Sequence, residues 1–209
     1  MSAFPAAAAR VVDAFSPSLT LTLRFGGAEA PVVAEGSTQT PTVCAAAPAV
    51  MLAAAAAAGA PAAAAGLYTL ILSDPDAPSV ADPKFGEWQH WVLVNAAVAA
   101  DGALHGGEAR TAYFGSAPGK DSGAHRYCLV AYAQPRGERI ELSDELDPPV
   151  SATSGFPPRR SFNSRTFAAR HGLTPVAALT YLAEWDEAVP ELAKRLAPPQ
   201  EPAPAAAAP

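Results

Sequence analysis

The sequence of 209 residues contains few cysteines and few basic residues. Its two cysteines, Cys44 and Cys128, lie far apart in apolar surroundings, so the spacing of a zinc or redox motif is missing and we expect buried free thiols in a reducing compartment. With 14 Lys and Arg against 20 Asp and Glu, the net charge is −6. A chain without clustered positive charge is not expected to bind nucleic acid directly.

The chain also lacks an apolar run that could span a bilayer. The alanine-rich stretch at residues 45–66 is interrupted by Gly59 and Pro61, and alanine is only weakly lipophilic. We interpret this stretch as an enlarged surface loop of low complexity. The first residues have neither the basic nor the leucine-rich segment of a secretory signal, so a cytoplasmic protein is expected.

The length predicts a single domain. We expect residues 1–10 to form a flexible N-terminus and residues 11–197 to form the domain, with the loop at 45–66 inserted in it. The Pro/Ala tail at residues 198–209 is expected to be disordered.

Five segments have the alternating or β-rich pattern of strands. They are residues 19–25, 67–72, 91–95, 111–114 and 125–132. Towards the C-terminus the spacing of apolar residues changes, and it predicts helices over 176–182 and 191–196, with Pro175 and Pro190 in their first turns.

The connections between the central strands are too short for helical crossovers, so consecutive strands are expected to be antiparallel neighbours. The chain would then run up and down, and several polar or rigid side chains would meet at one end of the sheet. These are Asp74, Asp76, His90, Pro118, His125 and Tyr127. Because Tyr127 follows His125 by two residues on one strand, both side chains point to the same face. The pattern therefore predicts a single site.

Two segments resemble the signatures of the phosphatidylethanolamine-binding protein family. The first is Asp-Pro-Asp-Ala-Pro at 74–78 followed by Glu-Trp-Gln-His-Trp at 87–91, and the second is Gly-Ala-His-Arg-Tyr at 123–127. Similarity also covers residues 11–15, 39–42, 161–167 and 183–186. The resemblance implies a mostly β fold, an antiparallel β-sandwich with a large and a small sheet and C-terminal α-helices.

The resemblance also assigns residues to a small anion pocket at one end of the sandwich. The ligand-binding positions are Asp74, Trp88, His90, Pro118, His125 and Tyr127. The supporting positions are Asp76, Pro78, Glu87, Ala117 and Arg126. Ala117 replaces a glycine common in animal members, and its methyl group is expected to narrow the pocket mouth or stiffen the loop.

The residue types suit a phosphate group. A protonated His90 or His125 and the Tyr127 hydroxyl can donate hydrogen bonds to phosphate oxygens, together with loop N–H groups. Asp74 can accept from an imidazole N–H, which orients the ring and favours its charged form. For Asp76 we favour a structural role in the turn.

Structural roles are also predicted for other side chains. Arg126 points away from Tyr127 and is expected to be a buried ion-pair partner. Trp88 is expected to form an apolar pocket rim, whereas Trp185 is expected to pack in the core against the last helices. Surface or helix-end positions are expected for His105 and His171, and a solvated loop for Arg159, Arg160 and Arg165.

An enzyme or a metal site must be weighed, because two histidines and two aspartates gather at this end. The sequence has no Gly-x-Ser-x-Gly elbow, His-Glu-x-x-His helix, P-loop or dinucleotide motif. Ser79 and Ser116 lack a base at a diagnostic spacing. We therefore predict no catalytic residue, no metal site and no cofactor.

Together, these expectations predict that the protein is a monomeric, non-catalytic regulator that binds a phosphate-bearing ligand. The ligand would be a phospholipid head group such as phosphatidylethanolamine, or a phosphorylated partner. The protein would dock onto or block a kinase or other signalling partner, with peripheral membrane contact allowed. The alternative, which the family also contains, is a serine peptidase inhibitor of the carboxypeptidase-inhibitor type. Florigen-like signalling stays open, because residues 163–167 resemble the plant branch whereas Trp88 stands where florigens carry Tyr.

Overall fold

The structure, a computed structural model, describes residues 5–54 and 66–196, and its regular elements are mostly strands. The strands are β1 (Leu19–Arg24), β2 (Thr38–Gln39), β3 (Ala49–Ala54), β4 (Leu67–Asp74), β5 (Trp88–Val98), β6 (Leu104–Thr111), β7 (His125–Ala133) and β8 (Thr174–Ala183). The α-helices are α1 (Ser164–Arg170) and α2 (Val189–Arg195). Short 3₁₀ helices occur at Ala6–Arg10, Val43–Ala45, Pro135–Gly137 and Pro157–Arg159.

The strands form a large and a small sheet. The large sheet has the order β2-β8-β7-β4-β5-β6, and its pairs are antiparallel except for the short parallel pair of β2 with β8. The small sheet consists of β1 and β3, paired antiparallel. The predicted mostly β fold with two sheets of unequal size is therefore confirmed.

Both faces of the large sheet are buried. On one face Leu70 belongs to a core cluster with Leu21 and Leu52 of the small sheet. On the other face Ile71 belongs to a second cluster that includes Phe167 of α1. Burial of one such side chain stabilises a fold by roughly 1.5–3 kcal/mol. The two layers together hold the central strands β4 and β7 in place, and the polar residues lie at the ends of these strands.

The helix predicted over 176–182 is wrong, because this segment is strand β8. It pairs antiparallel with β7 along its length. Alanine and leucine favour a helix locally, but the ladder of hydrogen bonds and the apolar neighbours that β7 offers outweigh this preference. The helix predicted over 191–196 is confirmed as α2.

The predicted up-and-down order holds for only part of the large sheet. Strands β4, β5 and β6 are consecutive antiparallel neighbours, but β7 pairs with β4 and not with β6. The strand predicted at 111–114 is displaced, because β6 begins at Leu104 and ends at Thr111. Gly106 and Gly107 in this strand have positive φ angles of 65° and 85°. Because such glycines have no side chain, they interrupt the alternation of apolar and polar residues that predicts a strand.

Two of the predicted irregular segments are ordered where the structure describes them. Residues Ala6–Arg10, expected to be flexible, form a 3₁₀ helix in which Ala8 is fully buried. Within the predicted loop at 45–66, residues Ala49–Ala54 form strand β3. The rest of that loop between 55 and 65, residues 1–4, and the predicted disordered tail at 198–209 lie outside the described residues. No helix in the described ranges is long and apolar enough to cross a membrane.

Candidate functional site

A cavity of about 230 Å³ lies at the end of the large sheet where β4 ends and where β5 and β7 begin. The antiparallel order creates this meeting point, because Asp74 at the end of β4 lies opposite Trp88 at the start of β5. The polar part of the lining consists of Asp74, His90, His125 and Arg160. The rest of the lining consists of Ala77, Pro78, Phe85, Trp88, Phe114, Ala117, Gly119, Phe156 and Ala193.

His125 and Asp74 form a buried pair in the cavity wall. Nδ1 of His125 lies 2.8 Å from Oδ2 of Asp74, and the side chains are 2% and 4% exposed. Oδ1 of Asp74 accepts a hydrogen bond from the backbone N–H of Asp76 at 2.7 Å. Burial raises the pKa of Asp74, and the hydrogen bond to His125 opposes that rise. Nε2 of His125 is buried and has no hydrogen-bond partner among the described residues, so it is the ring nitrogen left for a ligand.

His90 is held as a neutral ring. Its Nδ1 lies 2.8 Å from the carbonyl oxygen of Phe114, and since a carbonyl can only accept, Nδ1 carries the proton. Burial lowers the pKa of His90 from 6.5 to about 3. Of the two histidines considered as protonated donors, His90 is therefore neutral in this environment. The neutral ring presents Nε2 as an acceptor, and the ring packs 4.4 Å from Trp88 between centroids.

Tyr127 lies behind His90 and is fully buried. Its ring meets the His90 ring edge-on, with centroids 5.0 Å apart, and stacks on Tyr181 at 5.2 Å. Burial raises the pKa of Tyr127 well above its usual value, so the phenol keeps its proton. Within the described residues its hydroxyl makes no hydrogen bond of normal geometry. The hydroxyl is therefore a buried group behind His90 and outside the cavity lining.

Asp76 holds the frame behind the cavity through two arginines. One carboxylate oxygen accepts from Nε and the backbone N–H of Arg126, at 2.8 and 2.9 Å, and the other accepts from the guanidinium groups of Arg126 and Arg10. Burial opposes ionisation, yet these partners together lower the pKa of Asp76. Arg126 forms the predicted ion pair, and its side chain is half-buried, at 28% exposed, where a buried one was predicted.

Glu87 anchors the start of β5 to α1. Its carboxylate accepts hydrogen bonds from the hydroxyl of Ser73 at 2.9 Å, the backbone N–H of Ser164 at 3.0 Å, and the hydroxyl of Ser164. Burial raises the pKa of this carboxyl group, and the three donors oppose the rise. Glu87 thus has the supporting role predicted for it in the fold, because its hydrogen bonds hold the start of β5 against Ser73 and α1.

Arg159 is fully buried beside the cavity, although a solvated loop was expected for it. Its guanidinium donates to the carbonyl oxygens of Gln89, Ala112 and Ser151, at 3.0, 2.9 and 3.2 Å. It also lies over the ring of Trp88, 5.3 Å from the centroid. Burial lowers the pKa of Arg159 to about 10. The expectation fails because carbonyl groups from three separate segments converge on one donor.

Arg160 is exposed and stands on the cavity wall. Its guanidinium carbon lies 4.0 Å from the ring centroid of Phe85. The next residue, Ser161, donates its backbone N–H to the carbonyl oxygen of Phe85 at 3.1 Å. The loop that carries Arg160 is therefore tied to the loop that carries Phe85, and a guanidinium is held at the cavity.

The structure brings most of the predicted ligand positions to the cavity. Four of them line it, namely Asp74, Trp88, His90 and His125. Tyr127 lies behind His90, and Pro118 is buried between the lining residues Ala117 and Gly119. The role of each residue in ligand binding stays a prediction.

Several lining residues were not predicted from the sequence. Phe156 and Arg160 come from the loop between β7 and α1, and Ala193 comes from α2. No local pattern marks these positions, because they reach the cavity only through the packing of distant segments. Phe85 could have been suspected from its place just before the first signature segment at 87–91.

The remaining predicted side chains have mixed outcomes. His105 is exposed on β6 and His171 caps the end of α1, as predicted, and Nε2 of His171 lies 2.9 Å from Asp147. Trp185 is half-buried and not in the core, and Nζ of Lys120 lies 5.0 Å from its ring centroid. Arg165 forms an ion pair with Asp13. Arg165 therefore binds the N-terminal segment and does not lie in a solvated loop.

The thiols and the carboxylates of the described residues do not cluster into a metal site. Cys44 and Cys128 are free and buried, as predicted, and burial raises the pKa of Cys44 to about 12. Within residues 5–54 and 66–196, no group of three or more His, Cys, Asp or Glu side chains is placed to hold a metal ion.

Comparisons with known proteins agree with the fold. A family model described as phosphatidylethanolamine-binding protein matches residues 14–181. Protein MOTHER of FT and TFL1 homolog 2 of Oryza sativa subsp. japonica is 33% identical over 163 residues, which are 78% of this chain and 79% of that protein.

Two solved structures illustrate the likeness. A carboxypeptidase Y inhibitor, solved with its cognate proteinase, has a TM-score of 0.67 and 26% identity over 82% of this chain and 86% of the inhibitor. The phosphatidylethanolamine-binding protein from Plasmodium vivax shares the fold, with a TM-score of 0.61 and 14% identity over 85% of this chain and 92% of that protein. Because the family model matches most of its length, the chain belongs to the phosphatidylethanolamine-binding protein family.

Proposed function

We propose that the cavity binds a phosphate-bearing ligand and that the protein acts, without catalysis, as a regulator of a protein partner. The observation that carries this proposal is Nε2 of His125. It is a buried ring nitrogen in the cavity wall without a hydrogen-bond partner among the described residues. A buried polar atom left unsatisfied costs roughly 1–3 kcal/mol, and a phosphate oxygen that accepts from a protonated Nε2 recovers this free energy.

The pairing of His125 with Asp74 defines how an anion can bind to the ring. Since Nδ1 donates to Asp74, a proton at Nε2 makes that nitrogen a second N–H donor, which can point to the ligand. A phosphate oxygen would accept a charge-assisted hydrogen bond from Nε2, which is stronger than a neutral one.

The surroundings of His125 add complementary groups. The hydroxyl of Tyr127 can donate, and the neutral ring of His90 can accept from a protonated phosphate oxygen or from a ligand hydroxyl. The rings of Trp88 and Phe114 pack against each other, with centroids 5.4 Å apart, and make the wall apolar. In such surroundings a hydrogen bond to a charged group is stronger than in water.

The ligand would be a phospholipid head group, such as that of phosphatidylethanolamine, or a phosphorylated group on a protein. Its binding would change how the protein docks onto or blocks a kinase or another signalling partner. Membership of the family supports this class of function, and a monomer in the cytoplasm is the simplest setting for it.

The test is calorimetric titration with inorganic phosphate and with glycerol 3-phosphate, in buffers free of other oxyanions. His125→Ala and His90→Ala are expected to weaken binding by roughly 10- to 100-fold, because each removes a polar partner worth about 1.5–3 kcal/mol. His105→Ala is the matched control, since His105 is exposed on β6. Equal affinity of wild type and His125→Ala would refute the proposal.

A second candidate is inhibition of a serine carboxypeptidase. It is favoured by the structural likeness to the carboxypeptidase Y inhibitor, at 26% identity and a TM-score of 0.67. The wild-type protein would then inhibit hydrolysis of a peptide substrate by a serine carboxypeptidase. Inhibition that persists in His90→Ala and His125→Ala would favour this candidate, and no inhibition at a large excess of protein would exclude it.

A further inference from the structure

We infer that Arg160 and its surroundings make the cavity select anionic phosphate esters over zwitterionic ones that carry an ammonium group, a ligand class that rests on the proposed phosphate site. Glycerol phosphate and phosphatidic acid belong to the selected class. Phosphoethanolamine and phosphatidylethanolamine belong to the class that the same site binds less tightly.

The first support is the position of Arg160. Its guanidinium lines the cavity and is held 4.0 Å from the ring centroid of Phe85. Among the described residues it has no carboxylate partner within ion-pair distance. An unpaired guanidinium at the cavity attracts additional negative charge on a ligand and repels an ammonium group.

The second support is the state of the carboxylate at the site. Asp74 is the one carboxylate in the described lining. Its Oδ2 pairs with Nδ1 of His125, and its Oδ1 accepts from the N–H of Asp76. The one carboxylate in the described wall of the cavity therefore already accepts a hydrogen bond at each of its oxygens, and no second carboxylate is present there for a ligand ammonium.

The third support is that the protein's own cations occupy the aromatic rings. An ammonium group can bind over an aromatic face. The ring of Phe85 already has Arg160 at 4.0 Å and Lys84 at 5.8 Å from its centroid. The rings of Trp88 and Phe114 lie below the guanidinium of Arg159, at 5.3 and 5.6 Å. Three of the four aromatic rings in the lining are thus engaged with cations, and only Phe156 has no such contact in the described residues.

The groups that line the cavity therefore interact differently with the phosphate and with the ammonium of a zwitterionic ester. The phosphate meets the imidazole groups and the guanidinium of Arg160, whereas the ammonium meets the same guanidinium and engaged rings. An ester with a neutral glycerol in place of the ethanolamine keeps the favourable contacts and avoids the repulsion.

The experiment compares glycerol 3-phosphate with phosphoethanolamine by calorimetric titration of the full chain at low salt. The wild type is expected to bind glycerol 3-phosphate about two- to fivefold more tightly, the range for one partly exposed charge interaction. Arg160→Gln is expected to remove this preference, and Arg160→Lys to keep part of it. Arg195→Gln is the matched control, because Arg195 is exposed on α2 and outside the lining, and it is expected to keep the preference.

A vesicle arm distinguishes lipid from soluble ligands. Phosphatidylcholine vesicles carry either phosphatidic acid or phosphatidylethanolamine, and co-sedimentation is measured. Preferential binding to phosphatidic acid supports the inference with a lipid as the source, and selectivity seen only with the soluble esters supports it with a soluble source. Thermal unfolding of each variant shows whether it is folded.

Three results would contradict the inference, and they are distinguishable. If the wild type binds phosphoethanolamine as tightly as glycerol 3-phosphate or more tightly, the selectivity is wrong while the phosphate site stands. If neither ester nor inorganic phosphate binds, the proposed function fails and the selectivity fails with it. A preference that survives in Arg160→Gln would also contradict the role assigned to Arg160.

Discussion

His90 makes the stability of the folded protein depend on pH in the mildly acidic range. In the folded state burial lowers its pKa to about 3, whereas the unfolded chain has the ordinary value of 6.5. Below pH 6.5 the unfolded chain takes up a proton that the folded chain does not bind. The contribution of His90 to the free energy of unfolding therefore falls as the pH decreases from about 6.5 towards about 3.

The size of the effect follows from the two pKa values. Each pKa unit corresponds to about 1.36 kcal/mol, so the contribution of His90 between about pH 7 and about pH 5 is a loss of about 2 kcal/mol. For a protein of this size such a loss lowers the melting temperature by about 4–8 °C. Two buried carboxyl groups, Asp74 and Glu87, have raised pKa values and act in the opposite sense, so His90 must be isolated by comparison.

The comparison uses His90→Asn. An asparagine amide can replace Nδ1–H as the donor to the carbonyl oxygen of Phe114, but it does not titrate. Urea unfolding is measured at several pH values in buffers without phosphate. The variant is expected to be less stable at neutral pH, and its loss of stability on acidification should be about 2 kcal/mol smaller than that of the wild type.

His105→Asn is the control for the general effect of removing a histidine. Since His105 is exposed on β6, this variant should keep the pH dependence of the wild type. NMR of the imidazole nitrogens adds a direct measurement, in which His90 should remain a neutral Nδ1–H tautomer down to about pH 4. Identical pH dependence in wild type and His90→Asn, or an imidazolium at His90 near pH 6, would refute the reasoning.

Two further predictions concern the frame around the cavity. Asp76→Asn should lower the free energy of unfolding by about 3 kcal/mol, the low end for breaking a buried ion pair because Arg10 and Arg126 are partly exposed, as measured by urea unfolding. Asp82→Asn, which breaks an exposed pair with Lys84, should change it by less than about 1 kcal/mol, and equal effects would contradict the role of Asp76. Arg159→Met should cost about 2–3 kcal/mol in the same assay because three carbonyl groups lose their donor, whereas Arg136→Met on the surface should be nearly neutral. A stable Arg159→Met protein would show that other donors can satisfy these carbonyl groups.

The strands could be predicted wherever the residues of one segment show the pattern of a strand by themselves. The alternation at residues 19–25 predicted β1, and the aliphatic runs predicted β4, β5 and β7. Burial on both faces makes β4 and β7 apolar along most of their length, so they appear as continuous runs. Strand β8 was mistaken for a helix, since its alanines and leucines reveal their conformation only when β7 is beside them.

The meeting of Asp74, His90 and His125 could also be predicted, because each lies at or near the end of a central strand. The protonation state of His90 could not be predicted from the sequence. The proton on Nδ1 of His90 depends on the carbonyl oxygen of Phe114, which lies 24 positions away in the sequence. Its pKa depends on burial that several segments produce together.

By itself, the sequence determined the family signatures, the mostly β class and the end of the sheet at which the polar residues gather. The tertiary structure alone decided that Arg159 is buried, that Arg160 lines the cavity and that His90 is neutral. The physical reason is the range of the interactions. Strand periodicity and motif spacing are local, whereas desolvation and the convergence of distant carbonyl groups exist only after the chain has folded.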